Sequence, residues 1–315
     1  VGDATTCVVL DDYQAVATSL ADWSGLDVTT YQYNVDGDRL VAVLRDAEVV
    51  VLMRERTPFP AALIARLPKL RLIVTTGMRN ASIDVAAAKA AGVTVCGTAS
   101  TSEPPVELTW ALILGLARNL VVENNSLRAG GPWQSTVGVG LAGKTLGLLG
   151  FGKIGVRVAR IGLAFGMDVV AWSENLTAGR TDAEGVRLAP SKEALLAESD
   201  VVSVHLVLGD RTRGLVDDAA LKLMRPNAFL VNTSRAAIVE RQALVDALRE
   251  NRIAGAGLDV FETEPLPVDD VLRTLPNVLA TPHLGYVTDG NYRTYFREAV
   301  EDIRAFLAGA PVRVL

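Results

Sequence analysis

The sequence predicts two α/β domains, each a doubly wound parallel sheet flanked by helices. Three observations carry this. Short β-rich apolar runs alternate with helix-like stretches from residue 6 onward, the alternation restarts at Thr145, and the pair Pro104-Pro105 separates the two series. A chain of 315 residues is long enough for two or three domains.

In the first series the strands are Cys7 to Leu10, Asp27 to Tyr31, Val49 to Met53, Leu72 to Val74 and Val93 to Cys96. Between them, Phe59 to Leu67 and Ile83 to Ala91 carry apolar residues at helical spacing, with Asp84 near the start of the second. Paired prolines cannot continue a strand but suit a helix start, so Val106 to Leu127 reads as one long helix beyond a hinge. After the loop Ala129 to Trp133 come strand Thr145 to Leu149, helix Ile154 to Gly166, strand Asp168 to Trp172, helix Ser191 to Ala197 and strand Val201 to His205. Further strands are expected at Ala228 to Val231, Gly255 to Leu258 and Asn277 to Leu279. The last helix, Tyr292 to Leu307, and the terminal Val312 to Leu315 lack a strand partner in the second series and are expected to return to the first. The expected domains are therefore 1–102 with 286–315, and 103–285, with substrate in the cleft between them.

Half of the residues are hydrophobic and 21% are charged, which suits a globular protein rather than a disordered tail. The net charge of −5 is spread without a basic block, so neither nucleic acid nor anionic lipid is an expected partner. Two cysteines, no leader-like N-terminal pattern and no apolar run of membrane-spanning length point to a reducing cytoplasm.

Gly150-Phe151-Gly152-Lys153-Ile154-Gly155 is a G-x-G-x-x-G motif, weak alone among 27 glycines but specific in its setting. It follows an apolar strand and opens an apolar helix, where glycines permit the tight turn and close approach that a pyrophosphate requires. The carboxylate that closes the second strand of such a unit bonds the adenosine ribose. Here that strand ends Ser173-Glu174-Asn175, so serine takes the acidic place and the carboxylate comes one residue late. Glu174 would repel a 2′-phosphate, and the nearest downstream cation is Arg180; the reading leans to NAD and leaves NADP open.

Three further segments end predicted strands, where ligands gather in open α/β sheets: Val231 to Arg235, Leu258 to Glu264, and Ala280 to Gly285. Of only two histidines, His205 reads as a strand-end residue that shapes the structure or cofactor site, and His283, in a loop after proline, is better placed to reach substrate.

These segments, with Thr76-Gly77-Met78-Arg79-Asn80, Pro105-Val106-Glu107, the Gly143 to Gly155 block, Asn232 to Arg235, Gly257 to Pro265 and Pro282 to Gly285, resemble the D-isomer-specific 2-hydroxyacid dehydrogenases over nearly the whole chain. The resemblance implies a Rossmann nucleotide-binding domain inserted in a flavodoxin-like substrate domain. It implies Arg235 as the carboxylate-binding residue, Glu264 as the partner of the histidine, and His283 as the acid/base. It also implies cofactor contacts from residues 150–155, Ser173, Glu174, Asn175 and Thr233, and Asp259 at the nicotinamide carboxamide. It places the backbone near Gly77 at the substrate carboxylate. The candidate substrate residues are therefore Arg54, Thr76, Gly77, Met78 and Tyr286 as well as Arg235 and His283, with no metal expected.

The implied chemistry is hydride transfer between NAD(P)H and C2 of a 2-keto acid, whose developing alkoxide needs an acid titrating near neutrality. A guanidinium, always charged and planar, suits the substrate carboxylate. Two departures from the family pattern, Ala236 after the arginine and Tyr286 after His-x-Gly, would reshape the pocket. Glu264 argues against the formate dehydrogenase branch, whose histidine has an amide partner, and the regulatory extension of some phosphoglycerate dehydrogenases is not expected after the terminal helix. Met53, Phe59, Met78, Trp133 and Tyr286 are open between pocket and core, as are Arg54, Arg56 and Arg79 between substrate contact and solvated loop. A homodimer is implied through the nucleotide-binding domains, with the Val106 to Leu127 helix and the Trp133 loop meeting the partner. The alternatives are a nucleotide-sensing co-repressor and a phosphite dehydrogenase, which share the Arg, Glu and His.

Overall fold

The computed structural model describes residues 4–315. They form two compact units, one running to Thr101 and resuming at Val287–Leu315, the other Ser102–Tyr286.

The first unit begins β1 (Thr5–Val9), α1 (Ala17–Leu20), β2 (Leu26–Thr30), α2 (Gly37–Leu44), β3 (Val49–Leu52), α3 (Ala61–Ile64), β4 (Leu72–Thr75), α4 (Val85–Ala90) and β5 (Thr94–Gly97). Its five strands lie in the order β2-β1-β3-β4-β5 and are all parallel. Val49–Leu52 and Leu72–Thr75 are buried at every position, which explains why these strands read as unbroken apolar runs instead of alternating ones. Met53 and Phe59, left open as pocket residues by the sequence, are core: they are 2% and 0% exposed. Short α1 and the longer α2 escape the sequence reading. Neither is closed by a side-chain N-cap hydrogen bond, and α2 starts on a glycine.

The second unit contains α5 (Glu103–Ala117), α6 (Leu120–Arg128), β6 (Thr145–Leu149), α7 (Lys153–Ala164), β7 (Asp168–Trp172), α8 (Ala178–Asp182) and β8 (Arg187–Leu188). It continues with α9 (Lys192–Glu198), β9 (Val201–Val204), α10 (Asp218–Leu223), β10 (Phe229–Asn232), α11 (Arg241–Arg249), β11 (Gly255–Leu258) and β12 (Val278–Ala280). The strand order is β12-β11-β10-β9-β6-β7-β8, so the first strand, β6, lies between β7 and β9 at the point where the winding reverses. This is the 3-2-1-4-5-6 order of the dinucleotide-binding fold extended by one strand. One apolar layer packs α5 and α7 on the sheet through Trp110, Ile113, Val158 and Leu146; the other packs α9, α10 and α11 through Leu196, Leu221, Leu244 and Leu230.

The single helix expected over Val106 to Leu127 is two. At Asn119 the backbone turns left-handed, with φ +50, and α5 and α6 diverge by 63°. Asparagine tolerates that conformation better than other side-chain-bearing residues. The break lets α5 bury Trp110, Leu112 and Ile113 against the sheet, while α6 buries none of its residues. Among the described residues no single helix is long and apolar enough to cross a membrane.

The chain returns to the first unit as α12 (Asp289–Leu307), whose Tyr295 and Phe296 are fully buried. The terminal segment then adds an antiparallel contact to the free edge of β5: Gly97 N–H donates to Arg313 O at 3.0 Å and Leu315 N–H to Val95 O at 2.9 Å. Arg313 is held there by Asp302 Oδ1 of α12, 2.9 Å from its Nε.

Candidate active site

At the end of β6 the glycines of the Gly150–Gly155 turn do three different jobs. Gly150 has φ +104, and a Cβ there would sit 2.5 Å from the His205 carbonyl oxygen. A side chain on Gly155 would run into the Gly150 carbonyl, so this glycine lets α7 pack close under the turn. Gly152 meets nothing within 4 Å. It is the N-cap of the twelve-residue α7 and supplies no side-chain cap, so the first N–H groups at Lys153, Ile154 and Gly155 face an open approach. A bare helix N-terminus beside open space fits a diphosphate. The residues present therefore fit a dinucleotide cofactor.

Ser173, Glu174 and Asn175 lie beside that turn on a pocket of about 380 Å³, which Trp172, Leu206, Val207, Arg211, Thr212 and Leu215 also line. Arg180, the cation that the sequence placed nearest Glu174, instead donates to the Phe151 carbonyl at 3.0 Å. The partner of Glu174 is Arg211, whose Nη1 is 2.9 Å from Oε2. Because 37 residues separate the two, no local motif links them; the signal in the sequence is a cation in the loop after β9, a strand end on the same edge of the sheet.

His205, at the end of β9, has its Nε2 2.8 Å from Ser203 Oγ, and burial pushes its pKa down to about 4. A histidine near 6.5 when unfolded and near 4 when folded costs nothing above pH 6.5, where both states are neutral. As pH falls from 6.5 toward 4 the unfolded state takes up the proton first and stability is lost, by at most about 3 kcal/mol. Replacing His205 with Asn is expected to flatten the dependence of Tm on pH over that interval; an unchanged slope would place the acid sensitivity elsewhere.

The second group of residues lies at the ends of β10, β11 and β12. Asn232 shapes the turn that presents Arg235: its Oδ1 accepts from Ser234 N–H and its Nδ2 donates to Arg235 O, both at 3.0 Å. The Arg235 guanidinium is half-buried and donates to Ser234 O at 2.8 Å. Thr233 Oγ1 is 2.8 Å from Thr109 Oγ1 on α5. Glu264 and His283 meet directly, Oε2 to Nδ1, at 2.7 Å, with side chains 27% and 22% exposed. Glu264 is itself fixed by Phe261 N–H, which donates to its other oxygen at 2.9 Å. With Nδ1–H committed to a carboxylate, Nε2 is the imidazole nitrogen left for a ligand. The Tyr286 ring, 7% exposed, stands edge-on 5.4 Å from the imidazole and braces it.

Asp259 is fully buried, and its carboxylate holds the loop that carries His283. Oδ1 accepts from Thr281 Oγ1 at 2.6 Å and from Leu284 N–H at 2.7 Å, and Oδ2 accepts from Gly285 N–H at 2.9 Å. Burial raises its pKa and these hydrogen bonds oppose that rise. The family resemblance implies only a cofactor contact for Asp259; its anchoring of residues 22 to 26 positions away is not visible in a local motif.

The remaining expected substrate residues form their own group in the first unit. Arg54 has φ +54, and its N–H donates to Thr76 Oγ1 at 2.9 Å. Gly77 has φ +94, and any side chain there would collide with the Arg54 guanidinium, so the Arg54 head group lies against bare backbone. The Gly77 N–H itself is taken by Thr98 Oγ1 at 3.0 Å. Met78 is 43% exposed beside it.

A dinucleotide cradle and a carboxylate-paired histidine, both at strand ends of one doubly wound sheet, define a nicotinamide-dependent oxidoreductase. The family profile described as D-isomer specific 2-hydroxyacid dehydrogenase, NAD binding domain, matches residues 110–285. A glyoxylate reductase of Aeropyrum pernix is 39% identical over 282 residues, covering 86% of this chain and 83% of that protein. A D-3-phosphoglycerate dehydrogenase of Methanocaldococcus jannaschii is 34% identical over 86% of this chain, which spans 52% of that relative's length. Among solved structures, a phosphoglycerate oxidoreductase from Vibrio cholerae superposes with a TM-score of 0.93 at 40% identity, over 97% of this chain and 100% of that one. The chain belongs to the D-isomer-specific 2-hydroxyacid dehydrogenase family, a family of NAD-dependent oxidoreductases.

Proposed function

We propose that the protein reduces a small 2-keto acid to the D-2-hydroxy acid with NADH, using His283 as proton donor, Glu264 as its partner and Arg235 as the carboxylate receptor. The contact that carries this reading is the 2.7 Å hydrogen bond between Glu264 and His283. NAD(H), when bound, supplies or accepts the hydride at the substrate C2. His283 Nε2 delivers the proton that the developing C2 alkoxide requires. Glu264 accepts from the Nδ1–H of His283 and fixes the plane of the ring, and Arg235 holds the carboxylate beside the reacting carbonyl through its planar fork. Asp259 keeps the 281–285 loop in place and so positions His283.

Glyoxylate and hydroxypyruvate are the substrates to try first, since a relative of similar length is a glyoxylate reductase. The test is NADH oxidation against a panel of glyoxylate, hydroxypyruvate, pyruvate, phenylpyruvate and branched 2-keto acids. Saturable turnover of at least one is expected, and failure of all of them would refute the reading.

The protein works as a homodimer built on the nucleotide-binding unit. Supporting this, α6 and the loop after it expose Leu120, Leu127, Trp133 and Val137 at 55%, 56%, 82% and 95%. Glu123 ties that loop to α6 by accepting from the Thr136 N–H and hydroxyl, both at 2.5 Å. Sedimentation at micromolar concentration should give a dimer for the native chain and a monomer for the pair Leu127→Asp, Trp133→Asp; an unchanged dimer would move the interface elsewhere. Cys7 and Cys96 are buried free thiols, with pKa values pushed up by burial to about 12 and about 11, which suits a reducing cytoplasm.

A further inference from the structure

The adenosine-side pocket contains a charge arrangement that the ribose-carboxylate rule does not require. Glu174 comes one residue after the usual acidic position, and its Oε2 is committed to Arg211, an arginine from the loop that follows β9. Both side chains line the same pocket with Ser173 and Asn175. They are 59% and 72% exposed, so the pair is in contact with solvent and contributes little to stability. Its consequence is local: a guanidinium and a carboxylate cancel where a ribose would present either a hydroxyl or a phosphate.

Resting on the dinucleotide-site reading above, we propose that the Glu174–Arg211 pair selects the cofactor, with Arg211 a latent 2′-phosphate receptor that Glu174 neutralises. In the native protein a 2′-phosphate meets Glu174 at once and finds Arg211 already paired. A ribose hydroxyl, by contrast, can donate to Glu174 Oε1, which leaves the 2.9 Å bond from Arg211 to Oε2 intact. NAD(H) is therefore preferred. Removing the negative charge at residue 174 leaves Arg211 as an unopposed, forked cation on the pocket wall, the group that phosphate recognition favours. Arg180 does not take this part, because it is held on the Phe151 carbonyl at 3.0 Å. Arg211 thus decides whether loss of Glu174 merely removes repulsion or creates a phosphate site.

The test is calorimetric titration of NAD+ and NADP+ into the full chain and into Glu174→Gln, Arg211→Gln and the double variant. The native protein should bind NAD+ more tightly. Glu174→Gln should improve NADP+ affinity relative to NAD+ by about tenfold, with a steeper loss on adding salt because the new contact is between exposed charges. Arg211→Gln alone should weaken NADP+ further, and in the double variant the gain should vanish. A gain that persists without Arg211, or one ratio of affinities across all four proteins, would overturn the proposal while leaving the dinucleotide site standing. Binding of neither dinucleotide by the native chain would overturn both.

Discussion

His283→Ala should lower kcat for 2-keto acid reduction by roughly 10²-fold or more, the usual contribution of a positioned general acid, while NADH binds with near-native affinity. The expectation follows from position. His283 sits on the loop after β12, held by Asp259 and paired to Glu264 at 2.7 Å. The cofactor cradle is built separately from β6, α7 and the strand ends of β7 and β9. Alanine removes the proton donor and leaves the backbone hydrogen bonds of Leu284 and Gly285 to Asp259 in place. Steady-state kinetics with NADH binding measured in parallel would check it. Equal losses in NADH affinity and in turnover would show that the loop, not the proton, had been damaged.

Arg235→Lys should raise the KM for the keto acid and lower kcat together, with kcat/KM falling by about 10- to 100-fold, the range expected for losing a charge-assisted fork. Lysine keeps the positive charge, so a role limited to long-range attraction predicts little change. A forked grip on the carboxylate predicts a large one, because an ammonium cannot make two parallel hydrogen bonds. The turn set by Asn232 is backbone-directed and survives the exchange, which makes the variant a test of the guanidinium rather than of folding. Native kinetics in Arg235→Lys would remove Arg235 from the carboxylate site.

Features set by local chemistry were legible in the sequence, and features set by the meeting of distant side chains were not. Val49–Leu52, Leu72–Thr75 and Val201–Val204 announce a parallel sheet because strands covered on both faces need no polar alternation. The Gly150–Gly155 turn is readable for the same kind of reason, since each glycine answers a backbone or packing demand within a few residues of itself or at the adjacent β9 end. The α5–α6 break was missed because Asn119 adopts a left-handed backbone inside a helix-forming stretch, a choice made by the packing of α5 on the sheet. Arg211 as the partner of Glu174 was not legible, because sequence distance is a poor guide where two loops cross the carboxyl end of a sheet. Asp259 as anchor of the His283 loop was hidden likewise, its partners lying on a different strand end.

The central claim is that Glu264 and His283 act as one proton-delivering unit, and a double-mutant cycle on kcat for keto acid reduction tests it most directly. The 2.7 Å hydrogen bond joins the two side chains, and residues that act as a unit do not have additive effects. Once His283→Ala has removed the proton donor, Glu264 has no ring left to orient. The account predicts that Glu264→Gln lowers kcat in the native background and causes little further loss when added to His283→Ala. Equal fractional losses in the two backgrounds would contradict it.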